Sequence, residues 1–199
     1  MQETEAKFYV RDLSRIKSEL ERLGAQLIQA RVLETNIRFD LPGAKLRAEG
    51  RVLRLRRDRE VRLTYKSASI KEQGVLSREE IEFVVEDFDK AKSFLEALGY
   101  QKLVYYEKYR TTYEWNKAHI MLDELPYGSF VEIEGQTIEA IRLVADQLSL
   151  NWTTAIGTSY NALFERVRQA LKLSFPDLSF ANFENMEVQA NDLGVYTAD

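Results

Sequence analysis

Glu3-Thr4-Glu5-Ala6-Lys7-Phe8 sets how the rest of the chain is read. A strand's period of two points Glu3, Glu5 and Lys7 to one face and Thr4, Ala6 and Phe8 to the other. Two acids and a lysine along the buried side of a strand are poor packing. They suit a site where a hard metal ion and an anionic substrate sit together. The stretch belongs to a strand over Gln2 to Val10. After it, Asp12 reads as the N-cap of a helix with the apolar stripe Leu13, Ile16, Leu20 and Leu23, closed by Gly24. Shifted by 75 positions the pattern returns without a gap: Glu5 falls on Glu80, Phe8 on Phe83, Asp12 on Asp87, Leu20 on Leu95, Gly24 on Gly99 and Gln26 on Gln101. This is the mark of an internal duplication, and it predicts two half-sheets related by an approximate twofold.

Each copy leads into a long β-rich stretch, Ile28 to Asp40 and Lys102 to Trp115. Further strands are predicted over Val52 to Arg57, Val61 to Ser67, Leu76 to Val85, Ala118 to Glu124 and Ser129 to Glu134, with turn signals at Gly43, Gly50, Gly74 and Tyr127-Gly128. About eight strands result, the number at which a closed barrel has room for its side chains and one small ligand. Beyond Gly135 the pattern turns helical, with amphipathic segments over Thr137 to Leu148 and Ser159 to Leu173. The expected fold class is therefore α+β: an eight-stranded antiparallel β-barrel with helices packed outside. Residues 1–173 form one domain, and a tail over 174–199 has no assignable structure.

Composition agrees. A chain of 199 residues, 45% hydrophobic, can bury one sizeable core. No run reaches the length of a membrane span and the first residues are charged, so a soluble cytoplasmic protein is expected. The absence of cysteine excludes disulfides and thiolate metal sites. A net charge of -4 gives no long-range pull toward nucleic acid or anionic membrane, so a polyanion must be drawn by a local cluster.

Such clusters recur. Arg54 and Arg56 alternate with Leu53 and Leu55, Arg62, Thr64 and Lys66 with Val61, Leu63 and Tyr65, and Glu80 and Glu82 with Ile81 and Phe83. Lys108 and Arg110 flank Tyr109, Glu132 and Glu134 flank Ile133, and Asp123 follows Leu122. Any one pair could be a solvated cross-strand ion pair. The whole set implies a charged lumen, because helices beside the sheet need its apolar face and closure turns the other face inward. So dense a lumen is costly unless its charges are paired, hydrated or liganded.

In this order, Glu3-x-Glu5-x-Lys7, Arg54-x-Arg56, Lys66, Glu80-x-Glu82, Lys108-x-Arg110, Asp123 and Glu132-x-Glu134 resemble the CYTH domain of the triphosphate tunnel metalloenzymes. That family includes class IV adenylate cyclases, thiamine triphosphatases and inorganic tripolyphosphatases. The resemblance implies a β-tunnel in which Lys7, Arg54, Arg56, Lys66, Lys108 and Arg110 hold the phosphates. Lys7 and Lys66 are its catalytic candidates, and Glu3, Glu5, Asp123, Glu132 and Glu134 hold Mg2+ or Mn2+. Glu80 and Glu82 either orient those groups or belong to a second metal site. Proton transfer is unassigned: a lumen lysine with a pKa lowered by neighbouring cations could act, as could metal-bound water alone.

Arg38, Arg47 and Arg62 read more naturally as solvated than as tunnel lining. His119 has no partner at metal-ligand spacing and reads as structural. Tyr105, Tyr106, Tyr109, Tyr113 and Trp115 read as packing. The leading functional expectation is a metal-dependent hydrolase of inorganic or organic triphosphate: tripolyphosphate, ATP or thiamine triphosphate. The alternative is a class IV adenylate cyclase, favoured by the family's cyclase-like stretches Leu63-Thr64-Tyr65-Lys66 and Ser77-Arg78-Glu79-Glu80. A polyphosphate- or nucleotide-binding module without turnover is the third, though its many carboxylates would only repel the ligand. Neither nucleic acid nor a membrane is an expected partner; a homodimer is compatible.

Overall fold

The computed structural model describes residues 2–72 and 75–199, without the side chains of residues 2, 3, 71, 72, 75 and 76. The turn signal at Gly74 and the side chain of Glu3 therefore lie outside the described residues. In chain order the elements are β1 (Gln2–Val10), α1 (Leu13–Arg22), β2 (Gln26–Asp40), α2 (Lys45–Ala48), β3 (Val52–Arg57), β4 (Val61–Lys66), β5 (Ile70–Glu72), β6 (Val75–Val85) and α3 (Phe88–Ala97). There follow β7 (Gln101–Trp115), β8 (Ala118–Leu125), β9 (Gly128–Glu134), α4 (Ile138–Gln147), α5 (Tyr160–Ala170) and α6 (Ala190–Leu193).

The strands pair antiparallel in the order β1-β9-β8-β7-β2-β3-β4-β6, and a ladder between β6 and β1 closes these eight into a ring. The short β5 pairs only with β6 and is additional to the eight expected strands. Exchanging β1 with β6, β2 with β7, β3 with β8 and β4 with β9 maps the ring onto itself, as the duplication predicts. The helix of each copy is built alike. Asp12 accepts from the backbone N–H groups of Ser14 at 2.9 Å and Arg15 at 3.1 Å, and Asp87 from Lys90 at 3.0 Å. Each helix stops at a glycine in the left-handed region, Gly24 at φ 73° and Gly99 at φ 91°.

Period-two alternation decides which face goes where. Ala6, Phe8, Ile120, Leu122, Val131 and Ile133 point outward and are buried beneath α1 and α4. Ile37, Phe39 and Leu55 point outward against Phe88 and Leu95 of α3. The charged residues of the same strands are left to line the inside. On β6 the same alternation leaves Ile81 and Phe83 exposed on the outer face, opposite the inward Glu80 and Glu82.

Among the described residues, the β1–β6 ladder runs from Gln2↔Glu79 to Glu5↔Leu76. Past it, the free edge of β1 is taken up by later segments: Ile156 donates to the Lys7 carbonyl at 2.7 Å and Ala198 to the Tyr9 carbonyl at 2.9 Å. Leu178 does the same for β7, accepting from Glu107 and donating to Tyr105, both at 2.9 Å. The segment 174–199, unassigned from sequence, straps the ring, and Leu178, Phe183, Leu193 and Val195 pack with Leu163, Phe164 and Val167 of α5 in one apolar cluster. Among the described residues, no helix is long and apolar enough to cross a membrane.

Candidate functional site

The ring encloses a cavity of about 890 Å³. Nine cationic and seven acidic side chains of the described residues line it, a positive surplus inside a chain of net charge -4. Glu5, Lys7, Arg54, Arg56, Lys66, Glu80, Glu82, Lys108, Arg110, Glu132 and Glu134 all meet there. Arg38 and Arg62, expected to be solvated, line it too, because β2 and β4 turn those positions inward with Asn36 and Thr64.

On β1 and β9 the Lys7 ammonium sits between two carboxylates, 3.2 Å from Glu132 and 3.6 Å from Glu5. Burial would lower its pKa, but Glu132 and Glu5 outweigh burial and raise it. Lys7 is therefore a fixed charge, not a lysine poised to take a proton. Burial likewise works against ionisation of Glu132, yet Lys7, Arg110 and Lys108 hold its carboxyl well below the ordinary range.

Asp123 on β8 stands behind this pair. It is wholly buried, takes a bidentate fork from Arg110 at 2.6 Å on each oxygen, and accepts from Lys108 at 3.0 Å and from the Tyr160 hydroxyl at 2.7 Å. Its oxygens are committed to those partners. Tyr160, the first residue of α5, also lies under two lumen cations, with Lys7 4.5 Å and Lys108 5.2 Å from its ring centroid.

Across the lumen, Lys66 on β4 pairs with Glu80 at 2.8 Å. Glu82 lies within 3.6 Å of Arg54, 3.4 Å of Arg56 and 3.7 Å of Arg62, and accepts from Thr64 at 2.7 Å. Both acids thus orient basic side chains.

Four participants were not read from sequence as site residues. Glu34 on β2 is buried among Lys108 at 3.5 Å, Arg110 at 3.9 Å and Arg56 at 4.0 Å. Burial would raise its pKa, but those cations and Arg54 hold it at about 2. Its Oε2 has no hydrogen-bond donor. Asp58 lies 3.6 Å from Arg56 and 3.4 Å from Arg62. The Tyr106 hydroxyl, expected to be packing, faces Arg54, Lys108 and Arg38; burial opposes its ionisation, and the cations still lower its pKa. Tyr160 is the fourth. His119 is half-exposed at the rim, 3.7 Å from Glu114.

For a divalent ion, the donor chemistry fits. Glu5 and Glu132 already bracket a cation, Glu134 lines the same cavity, and carboxylate oxygens suit Mg2+ or Mn2+. Among the described residues, no three acidic or imidazole groups are gathered closely enough to ligate one ion as they stand. Two carboxylates, with water and substrate phosphates completing the coordination, would suffice to hold such an ion.

Comparison with known proteins agrees with this geometry. The sequence pattern of the CYTH domain matches residues 1–159. A protein of Methanocaldococcus jannaschii named as a candidate adenylate cyclase is 29% identical over 136 residues, 67% of this chain and 77% of that protein. Among solved structures, a candidate adenylate cyclase from Vibrio parahaemolyticus superposes with a TM-score of 0.73 at 22% identity, covering 82% of this chain and 97% of the other. The PH1012 protein from Pyrococcus horikoshii gives 0.68 at 26%, covering 79% and 96%. A Hippeastrum protein, described as a candidate adenylyl cyclase with a dominant triphosphatase activity, gives 0.60 at 20%, covering 82% and 95%. With its ring of eight antiparallel strands, its outer helices and its charged lumen, the chain belongs to the CYTH domain family.

Proposed function

We propose that the protein hydrolyses a phosphoanhydride bond of an inorganic or organic triphosphate inside the lumen, with Mg2+ or Mn2+ as cofactor. The observation that carries this reading is the pairing of a cationic surplus with inward carboxylates in one enclosed cavity. A triphosphate carries more negative charge than that surplus offsets. A divalent cation beside the acids closes the gap.

Glu5, Glu132 and Glu134 would hold the ion, with Glu3 as the further candidate from the first strand. Bound there, it would neutralise phosphoryl charge and make an attacking water more acidic. Asp123 acts through Lys108 and Arg110, whose positions it fixes. Arg54, Arg56, Lys66, Lys108 and Arg110 bind phosphoryl oxygens by exchanging carboxylate partners for phosphate, Arg by bidentate forks and Lys as a point charge. Lys7 stays protonated and stabilises charge at the phosphate nearest the acids. In-line transfer needs little covalent help, so positioning and charge carry the step.

The named likeness to a candidate adenylate cyclase supports a second reading, in which the ribose 3'-hydroxyl attacks the α-phosphorus of ATP. The lumen favours the first. Its described aromatic lining is Tyr106 and Tyr160, both buried, so it offers phosphates far more than it offers a nucleobase. Purified protein incubated with Mg2+ or Mn2+ and tripolyphosphate, ATP or thiamine triphosphate, with products resolved by phosphorus NMR, separates the readings. Orthophosphate release is expected. Cyclic AMP with diphosphate would establish the cyclase instead, and no product from any substrate would leave a binding module.

A further inference from the structure

A second cavity of about 450 Å³ opens off the lumen, sharing Arg38, Val52, Arg78, Ser159 and Asn161 with it. Its charge is one-sided. Among the described residues, five arginines line it against one acid, Glu165, which is already held by Arg168 at 3.1 Å.

Arg38 is the sharpest sign. On the β2–β3 ladder it lies directly opposite Arg54, a like-charge pair that costs stability. Among the described residues it has no ion pair. Its buried Nε has no acceptor, and burial lowers its pKa, with Arg78, Arg47 and Arg54 adding to burial and the Tyr106 hydroxyl opposing it. Arg47 is placed by design of the chain: the buried Asp40 carboxylate accepts from the backbone N–H groups of Leu41, Leu46 and Arg47 at 2.7, 2.8 and 2.9 Å. The N-terminus of α5 completes the wall, with Ser159 as its cap and Asn161 as the second helical residue. No partner holds the Asn161 Oδ1, so the amide is able to turn its N–H donor inward. Clustered guanidinium groups, a helix N-terminus and an amide donor all ask for one kind of occupant.

We propose that this side cavity is a second anion site, which takes a phosphoryl group beyond those held in the main lumen. Its source is either the distal end of a linear polyphosphate longer than three units or free orthophosphate. The proposal relies on the triphosphate reading for what fills the main lumen, and on the arginine cavity alone for the second site.

Calorimetric titration of the full chain with orthophosphate, tripolyphosphate and a longer linear polyphosphate tests it, using Arg47→Gln. Arg47 is exposed and absent from the main lumen, so folding is not at stake. Lys45→Gln, on the same short helix but outside the cavity, controls for the lost charge. Arg47→Gln is expected to weaken the longer polyphosphate about tenfold and tripolyphosphate less than about twofold, with Lys45→Gln changing neither beyond about twofold. Loss of orthophosphate binding in Arg47→Gln, with the longer chain unaffected, would keep the site and name a separate ion as its occupant. Equal effects of the two variants, or no effect of Arg47→Gln on any probe, would overturn the site. If tripolyphosphate fails to bind the parent protein while Arg47→Gln still abolishes orthophosphate binding, the triphosphate reading falls and the second site stands.

Discussion

Lys7, Lys108 and Arg110 each face buried carboxylates, while Arg38, on the same ring, faces another arginine. The first arrangement is self-sufficient: Asp123, Glu132 and Glu34 stabilise their cations without help from a ligand. The second is incomplete until an anion arrives. The difference separates charges that hold the lumen together from charges kept for a ligand, and removing one residue from each region should shift stability in opposite directions.

The largest effect is expected at Asp123. Asp123→Ala strips Lys108, Arg110 and the Tyr160 hydroxyl of their shared acceptor, and should cost about 3–5 kcal/mol in chemical denaturation. Glu34→Gln should cost somewhat less, about 3 kcal/mol, because Glu34 has no donor at one oxygen and its cations keep other partners. Its pH dependence has a definite sign. The folded-state carboxyl is held at about 2 against an ordinary 4.5, so its contribution is fully present above the ordinary value and fades as pH falls toward 2. The stability difference between parent and Glu34→Gln, followed by denaturation from pH 6 to pH 2, should therefore shrink on acidification; a constant difference would show that Glu34 carries no such shift.

Lys66→Ala should weaken tripolyphosphate binding by about 1.5–3 kcal/mol, measured by calorimetry, since a charged hydrogen bond to phosphate is lost. Unaltered affinity would remove Lys66 from the site. Smallest, and opposite in sign, is Arg38→Gln: relief of the repulsion with Arg54 should raise the stability of the ligand-free protein by up to about 1 kcal/mol. A loss of stability there would erase the contrast between the two regions.

The ring was legible because its signals are local. Strand period, capping aspartates and left-handed glycines all act within a few residues, and the duplication repeats them. The doubled charges of β1, β3, β6, β7 and β9 carried the inner face in the same way. Glu34-x-Asn36-x-Arg38 follows the same period, but an acid, an amide and a base in succession make no doubled pair, and Glu34 passed unmarked. Tyr106 shares its phase with Lys108 and Arg110, yet Tyr105 beside it blurs which tyrosine turns inward. Tyr160 enters the lumen from a helix start, and segment 174–199 is ordered by docking on the edges of β1 and β7. No local pattern encodes either, because both depend on contacts far apart in sequence.

The most direct test of the acid-lined region is orthophosphate release from tripolyphosphate by the parent protein and by Glu132→Gln, in Mg2+ or Mn2+, with folding of both checked by circular dichroism. Glu132 touches both Lys7 and Arg110 and lines the lumen, so the account predicts turnover in the parent and a loss of at least about 100-fold in a folded variant. Turnover undiminished in folded Glu132→Gln would contradict it.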